Sequence, residues 1–306
     1  MGHYPLTSWC DNTDECLAVK LRPGNAGSNT VTDPLEVLTE SIRQIPAALR
    51  RDLLITCDGA SSTHDLIEHI TALNASPNRK VHYSVGFDFD DRTKTVLPLL
   101  PESAWQHVLD GHGNARPLEQ AAVVEMTGLL RESTGGDLLK TWPAGMRILT
   151  RREKPHPGAP LSLFEQHKGW RHQLFATNTP ATTRGRLGQI AFLEARHRAH
   201  ARVEDRIRPA KETGLGHLPS KKAQLNQARL AAAGMAFDLL AWLRLLCLNG
   251  DLAKAEPKTL RYRTLHTSAR IIRGQRRRTI GVPETWLWSE ELERCLNTAM
   301  ALPQAI

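Results

Sequence analysis

Five cysteines in 306 residues, with no C-x-x-C pair and no zinc-type ligand spacing, exclude a metal ribbon or a disulfide-framed small domain. Cys10 and Cys16 flank a turn, but a cytoplasmic chain keeps such thiols reduced, and no bridge is expected. No basic-then-apolar leader opens the sequence, so export is not indicated and the expected location is the cytoplasm. Long apolar runs are nearly absent. The one that approaches membrane-span length, "LAAAGMAFDLLAWLRLLCL" at 230–248, is interrupted by Asp238 and Arg244 and has no companion. It reads as a buried core helix, and no membrane partner is expected. Internal repeats and low-complexity tracts are missing too, which excludes solenoids and biased linkers.

What the chain does have is enough apolar side chain for a real core, 41% by count, and a lopsided charge. Its length fits one large domain or two modest ones. Residues 1–150 carry 13 Lys and Arg against 19 Asp and Glu, a net of −6; residues 151–306 carry 27 against 13, a net of +14. A polyanionic partner for the second half is the physical reading. The competing reading is a GC-rich genome that writes arginine freely, since 29 of the 40 basic residues are Arg.

Along the chain, "YPLTSWC" and "CLAVKLR" are β-rich runs joined by the turn "DNTDE", so a hairpin starts at about residue 4. "RPGNAGSNT" (22–30) is a loop, and Arg22, Asn25 and Asn29 suit either an ordinary turn or a close approach to a phosphate backbone. Pro34 at a first helical position predicts a helix from Thr32 or Asp33 to about Arg50. "LLITC" (53–57) predicts a strand covered on both faces; a helix over roughly 62–74 and the strand "VHYSVGFDF" (81–89) follow. The texture supports four regions. Residues 1–92 and 183–248 form two parts of one α/β core, 93–182 is a β-rich insertion, and 249–306 is a basic C-terminal region. The tail from Arg261 to Arg278 is rich in arginine without an aromatic ladder, which suits non-specific phosphate contact.

Two carboxylates stand apart. Asp58 ends an apolar strand and is followed by Gly59 and small residues that leave it approachable; a turn or cap aspartate is the plain alternative. Glu204 sits in "HRAHARVEDRIRPAK" (197–211), among arginines and histidines. Its plain alternative is an ion pair with Arg208 one turn on, contributing only ~0.3–0.5 kcal/mol if exposed. On a continuous helix His197, His200, Glu204 and Lys211 share one face. A carboxylate in a basic field makes sense if a divalent cation bridges it to a phosphate, and Mg²⁺ prefers carboxylate, water and phosphate oxygen.

Three stretches, "GHYPLTSWCDNTDECLAVKLRPGNAGSN", "LLITCDGASSTHDL" and "RVEDRIRPAKETGLGHLPS", carry a resemblance over nearly the whole chain to bacterial insertion-sequence transposases of the DDE type. The last is the specific one. It keeps the E-x6-K spacing of a Tyr-Arg-Glu-Lys signature in Glu204 and Lys211, with His197 and His200 in the Tyr and Arg slots. The resemblance implies an α/β fold of the ribonuclease-H-like kind, a mixed sheet flanked by helices and interrupted by the β-rich insertion. It implies Asp58 and Glu204 as catalytic metal ligands for Mg²⁺ or Mn²⁺, and Lys211, His200, His197 and Arg208 as DNA contacts. Trp170, in "HKGWRHQLF", resembles the ring that receives an extruded base; capping the insertion's own core is its alternative role. The complete enzyme of this class hydrolyses a phosphodiester at the element end, and the freed 3′-hydroxyl attacks target DNA.

The resemblance also implies a third carboxylate on a first, central strand just before the hairpin. No such strand precedes the hairpin here, and Asp11 and Asp14 lie in its turn, at the wrong end. The expectation is therefore an N-terminally truncated copy, impaired in catalysis. It would be open to a complementing N-terminal fragment, and pairing on DNA as a homodimer is a further expectation. A non-catalytic DNA-binding remnant or regulator of transposition is the alternative.

Overall fold

A computed structural model of the chain describes residues 3–23, 31–59, 63–133, 136–159, 169–183, 185, 188–211, 214, 216, 218–274 and 278–303. In chain order, strands β1 (His3–Trp9) and β2 (Cys16–Pro23) precede helix α1 (Thr32–Gln44), strand β3 (Asp52–Cys57), helix α2 (His64–Ala72) and strand β4 (Lys80–Phe87). Helix α3 (Asp91–Val96), strands β5 (Gln106–His107) and β6 (Ala121–Glu125), helix α4 (Thr127–Arg131), and strands β7 (Arg147–Glu153) and β8 (Arg171–Thr177) follow. The remainder is α5 (Ile190–Arg198), α6 (Arg202–Ala210), α7 (Ala223–Trp242), α8 (Gly250–Ala253), α9 (Pro257–Leu265), strands β9 (Arg270–Arg273) and β10 (Arg278–Gly281), and α10 (Ser289–Ala301). Two compact units result, one made of Ala26–Arg202, the other of Met1–Asn25 with Val203–Ile306.

The first unit is a six-stranded mixed sheet in the order β3-β4-β8-β7-β6-β5. Only β3 and β4 are parallel, because helix α2 carries the chain between them. Alternation across the strands fills two layers. Val85, Val124, Ile148 and Ala176 point into a core with Ile67 and Ile70 of α2. Val123, Leu149 and Phe175, their chain neighbours, join Leu193 of α5 on the other side. Helices thus cover both faces, as the α/β expectation required. Segment 93–182 supplies β5–β8, and these strands run on from β4 in the same sheet through the pairing of β4 with β8.

Strand β3 pairs with β4 alone, so among the described residues no strand stands on its other side. The hairpin β1–β2 forms a separate two-stranded sheet. Two local expectations need correction. Helix α1 stops at Gln44 and not near Arg50, because Ile45 precedes Pro46 and is driven extended (ψ 132°). The helix expected to run unbroken to Lys211 is interrupted by a tight turn at Ala199–Ala201, which ends α5 before α6 begins.

In the second unit, α7 packs on the hairpin. Phe237 meets Trp9 edge-on, ring centroids 4.6 Å apart, within a core of Ala210, Leu230 and Ala233. The two charges that interrupt the apolar run are both used. The backbone N–H of Cys16 donates to Asp238 at 2.7 Å, and Arg244 donates to the Ala255 carbonyl at 2.6 Å. The helix expected to be a core helix is one along part of its surface only, burying Leu230, Ala233, Phe237 and Ala241. Ala223–Cys247 is the one span among the described residues long and apolar enough to cross a membrane. Its Leu225, Met235, Leu239, Trp242 and Leu246 are 47–63% exposed. With Ala228 and Ala232 they follow a 3-4 spacing, the seam of a two-helix pairing.

Phe237→Ala is expected to destabilise the second unit by ~3–5 kcal/mol, read by urea denaturation followed through the fluorescence of its neighbour Trp9. A midpoint unchanged from the parent would show that this contact is not part of a packed core.

Candidate functional site

Asp58 directly follows the last residue of β3 and is exposed. Its carboxylate forms no hydrogen bond or ion pair with another described residue, so none of them occupies its lone pairs. The Cys57 thiol beside it is pushed up to about 12, by burial first and by the negative Asp58 second. It therefore stays neutral and adds no second anion. Strand β4 approaches this turn closely. A Cβ built on Gly86 would stand 2.7 Å from the Gly59 nitrogen and 3.4 Å from the Asp58 carbonyl carbon. Only glycine lets the backbones come together there.

Two imidazoles dock next to the same strand ends. His200 Nδ1 is 3.0 Å from Thr56 Oγ1, and His197 Nδ1 is 3.0 Å from Ser84 Oγ. Thr56 and Ser84 are register partners on β3 and β4. His197 near the end of α5 and His200 in the turn after it thus land on adjacent strands, which lie ~4.8 Å apart. His197 also stacks on Phe175, centroids 4.4 Å apart and planes 6° from parallel. Burial, then the charges of His200, Arg196 and Arg151, lowers its pKa to about 4. At neutral pH it is an uncharged ring held by protein. Thr56, Ser84 and Gly86 were not singled out in the sequence. The available signal was three small or polar residues inside otherwise apolar strands.

Helix α6 carries Glu204 and Arg208, and Lys211 follows at its end. The backbone at Glu204 is helical; Arg208 and Lys211 are exposed. A tighter helical turn at Ala199–Ala201 lies between His197 and Glu204, so the stretch is not one uniform α-helix. Arg206 of α6 pairs with Asp14 at 2.6 Å and with Asp11, so both turn carboxylates serve an ion pair. Loop 24–30, with Asn25 and Asn29, lies outside the described residues; Arg22 is buried.

Trp170 sits against β7. Arg152 and Lys154 lie 4.6 and 4.2 Å from its ring centroid. Arg152 also lies 4.1 Å from the Trp105 ring and grips Glu102 through two guanidinium nitrogens, at 2.8 and 2.6 Å. One further cluster, His64, Asp65 and Glu68, brings ligand-type atoms within 4.8 Å. The His64 imidazole donates to the Thr141 carbonyl at 2.6 Å through Nε2 and faces Asp65 through Nδ1 at 3.5 Å. These contacts, the Thr141 carbonyl first, raise its pKa.

A helix-flanked mixed sheet with an exposed aspartate at a strand end defines the class as an α/β protein with a carboxylate-bearing edge. The sequence matches the family described as Transposase DDE domain group 1 over residues 1–304. The chain belongs to that family. Among solved structures it is similar to a piggyBac transposase synaptic complex with hairpin DNA determined by cryo-EM, at 10% identity and a TM-score of 0.39 over 78% of this chain. It spans 40% of that protein's length. No curated protein matches the sequence.

Gly86→Ala is expected to destabilise the fold by ~1–3 kcal/mol, since the added methyl meets backbone that must move. A melting temperature equal to the parent's would show that the turn yields freely. His197 makes stability depend on acid. Above pH 6.5 the ring is neutral both folded and unfolded, and it contributes no pH dependence. Between pH 6.5 and about 4 the unfolded chain takes up the proton and the native chain does not, so stability drops as the pH drops, by up to ~3 kcal/mol. Melting curves of His197→Gln should lose this part of the acid sensitivity; an unchanged profile would contradict it.

Proposed function

We propose that this chain is the catalytic-core part of a DNA transposase, in which Asp58 and Glu204 jointly hold Mg²⁺ or Mn²⁺. The family match over 1–304 is the observation that carries this reading. The donor chemistry fits a hard cation. Asp58 offers an exposed carboxylate, and the neighbouring thiol stays protonated and does not compete as a soft ligand. When bound, such ions activate the attacking oxygen and stabilise the leaving one in phosphodiester hydrolysis and strand transfer.

The chain's own residues take the remaining roles. Arg208 and Lys211, exposed at the end of α6, hold backbone phosphate. His197 and His200 act as positioning residues, because both rings are engaged with strand hydroxyls. Trp170 takes an extruded base on its ring once Lys154 yields, leaving Arg152 held by Glu102. The open edge of β3 accepts a further strand that brings the third carboxylate, as a complementing N-terminal fragment would. The exposed seam on α7 joins two copies as a homodimer on DNA.

The test is an incubation of the purified chain with element-end duplex and Mg²⁺ or Mn²⁺. Salt-sensitive DNA binding is expected, with no robust strand transfer from the chain alone. Adding a peptide that spans the first strand of an intact family member should raise the melting temperature and restore metal-dependent nicking, which Asp58→Ala and Glu204→Gln then abolish. Nicking that survives both substitutions would refute the two-carboxylate site. Salt-sensitive binding with no nicking under any complementation would favour the non-catalytic DNA-binding reading.

A further inference from the structure

Residues 257–283 contain eight Lys and Arg and no Asp or Glu. Within them, β9 and β10 pair as an antiparallel ribbon with the register Arg270↔Gly281, Ile271↔Ile280, Ile272↔Thr279 and Arg273↔Arg278. Among the described residues nothing covers either side of it. Arg270 and Arg273 are exposed, and Ile271, Ile272 and Ile280 are 64, 52 and 49% exposed. Register places positions 271, 273, 278 and 280 on one face. That face pairs two isoleucines across the strands and, beside them, sets an arginine position opposite another. Like charges at paired positions work against the hairpin, and a two-stranded ribbon is marginal on its own. A bound anion would relieve the first cost.

The base of the ribbon is fixed. Tyr262, Trp286 and Trp288 form a cluster with centroids 5.2–5.9 Å apart. The Trp286 indole N–H donates to the Arg263 carbonyl at 3.0 Å, and the Arg263 guanidinium lies 5.3 Å from the Trp288 ring. Residues 262–263, before β9, are thereby tied to 286–288, after β10. A short, basic, uncovered ribbon follows from a rigid aromatic footing.

We propose that this ribbon enters the major groove of duplex DNA, with the face of positions 271, 273, 278 and 280 toward the base edges. The inference deepens the DNA-acting function proposed above and rests on it. Charge selects the occupant. A second copy would bring eight more cations against these eight, whereas duplex DNA carries one negative charge per ~1.7 Å. Shape agrees, since two strands ~4.8 Å apart with their side chains suit a groove ~12 Å wide. The isoleucines meet thymine methyl groups or sugar edges, and the arginines reach phosphate or guanine.

The experiment is fluorescence anisotropy of the full chain with a labelled mixed-sequence duplex of about three helical turns across a KCl series. It compares the parent with the triple variant R270Q/R273Q/R278Q and the double variant I271S/I280S, each checked for folding by circular dichroism. The triple variant is expected to lower the slope of log affinity against log salt by roughly 0.9 for each of its arginines that neutralises a phosphate, up to about 3. The double variant should weaken binding with the slope unchanged. Guanine-N7 methylation of the duplex should weaken the parent. An unchanged slope in the triple variant, or insensitivity to N7 methylation combined with competition by a minor-groove ligand, overturns the ribbon proposal while leaving DNA binding intact. If the parent binds no duplex, the DNA-acting reading itself fails. Binding to phosphatidylserine vesicles in place of duplex would assign the ribbon to a membrane surface and overturn the proposal.

Discussion

The paired strands β3 and β4 end under two imidazoles, and much of the site's geometry depends on that docking. Thr56 and Ser84 are adjacent in register, and His200 and His197 each occupy one of them. Two residues beyond Thr56 the strand gives way to Asp58; four residues beyond His200 the chain reaches Glu204. Hydroxyl–imidazole contacts are individually modest, about 1 kcal/mol. Their effect here is positional. They fix the end of α5 and the turn after it over the strand ends, and the stack on Phe175 sets the ring plane of His197. Gly86 contributes the complementary constraint by letting β4 lie against the turn that follows Asp58.

The charge excess of the second half is less available than its count suggests. Arg147 grips Glu125 at 2.7 Å, Arg152 grips Glu102, and Arg151 and Arg198 share Glu194. Arg206 serves the hairpin turn. These arginines are partly or wholly buried, where a lone charge would be expensive and a partner is required. They hold the architecture together and offer little to a polyanion. The exposed cations include Arg208 and Lys211 at the end of α6 and Lys258, Arg261, Arg270 and Arg273 over α9 and β9. The arginine count alone overstates what is available, because burial decides which of them can meet a ligand.

The large elements were legible in the sequence because their signals are local. The hairpin, β3, β4 and α7 all sit close to where alternation and apolar runs put them. What stayed hidden is non-local. Nothing in "MRILTRR" or "HQLFATN" says that these strands extend the sheet of β4, because strand pairing is decided by packing between distant segments. The break at Ala199–Ala201 was hidden as well. Helix propensity through "ARHRAHARVED" is unbroken, and a local tightening to a 3-10 turn is not something propensity distinguishes. The place of Asp58 at a strand end was visible from the apolar run before it and the small residues after. Thr56, Ser84 and Gly86 were invisible because their roles exist only against partners tens of residues away.

The field around Asp58 sharpens what kind of ligand such a turn can take. An exposed carboxylate ordinarily gains little from protein partners, and this one makes no ion pair with any described cation. The titratable neighbour in sequence, Cys57, remains a thiol at any physiological pH. Of these two neighbours only Asp58 offers a charged donor, a carboxylate oxygen. That combination discriminates against soft thiophilic metals, which need thiolate or imidazole, and suits an oxygen-seeking divalent cation that retains water and phosphate in its sphere. One carboxylate cannot neutralise two positive charges. A divalent cation at this turn would need further acidic groups, the part proposed above for Glu204.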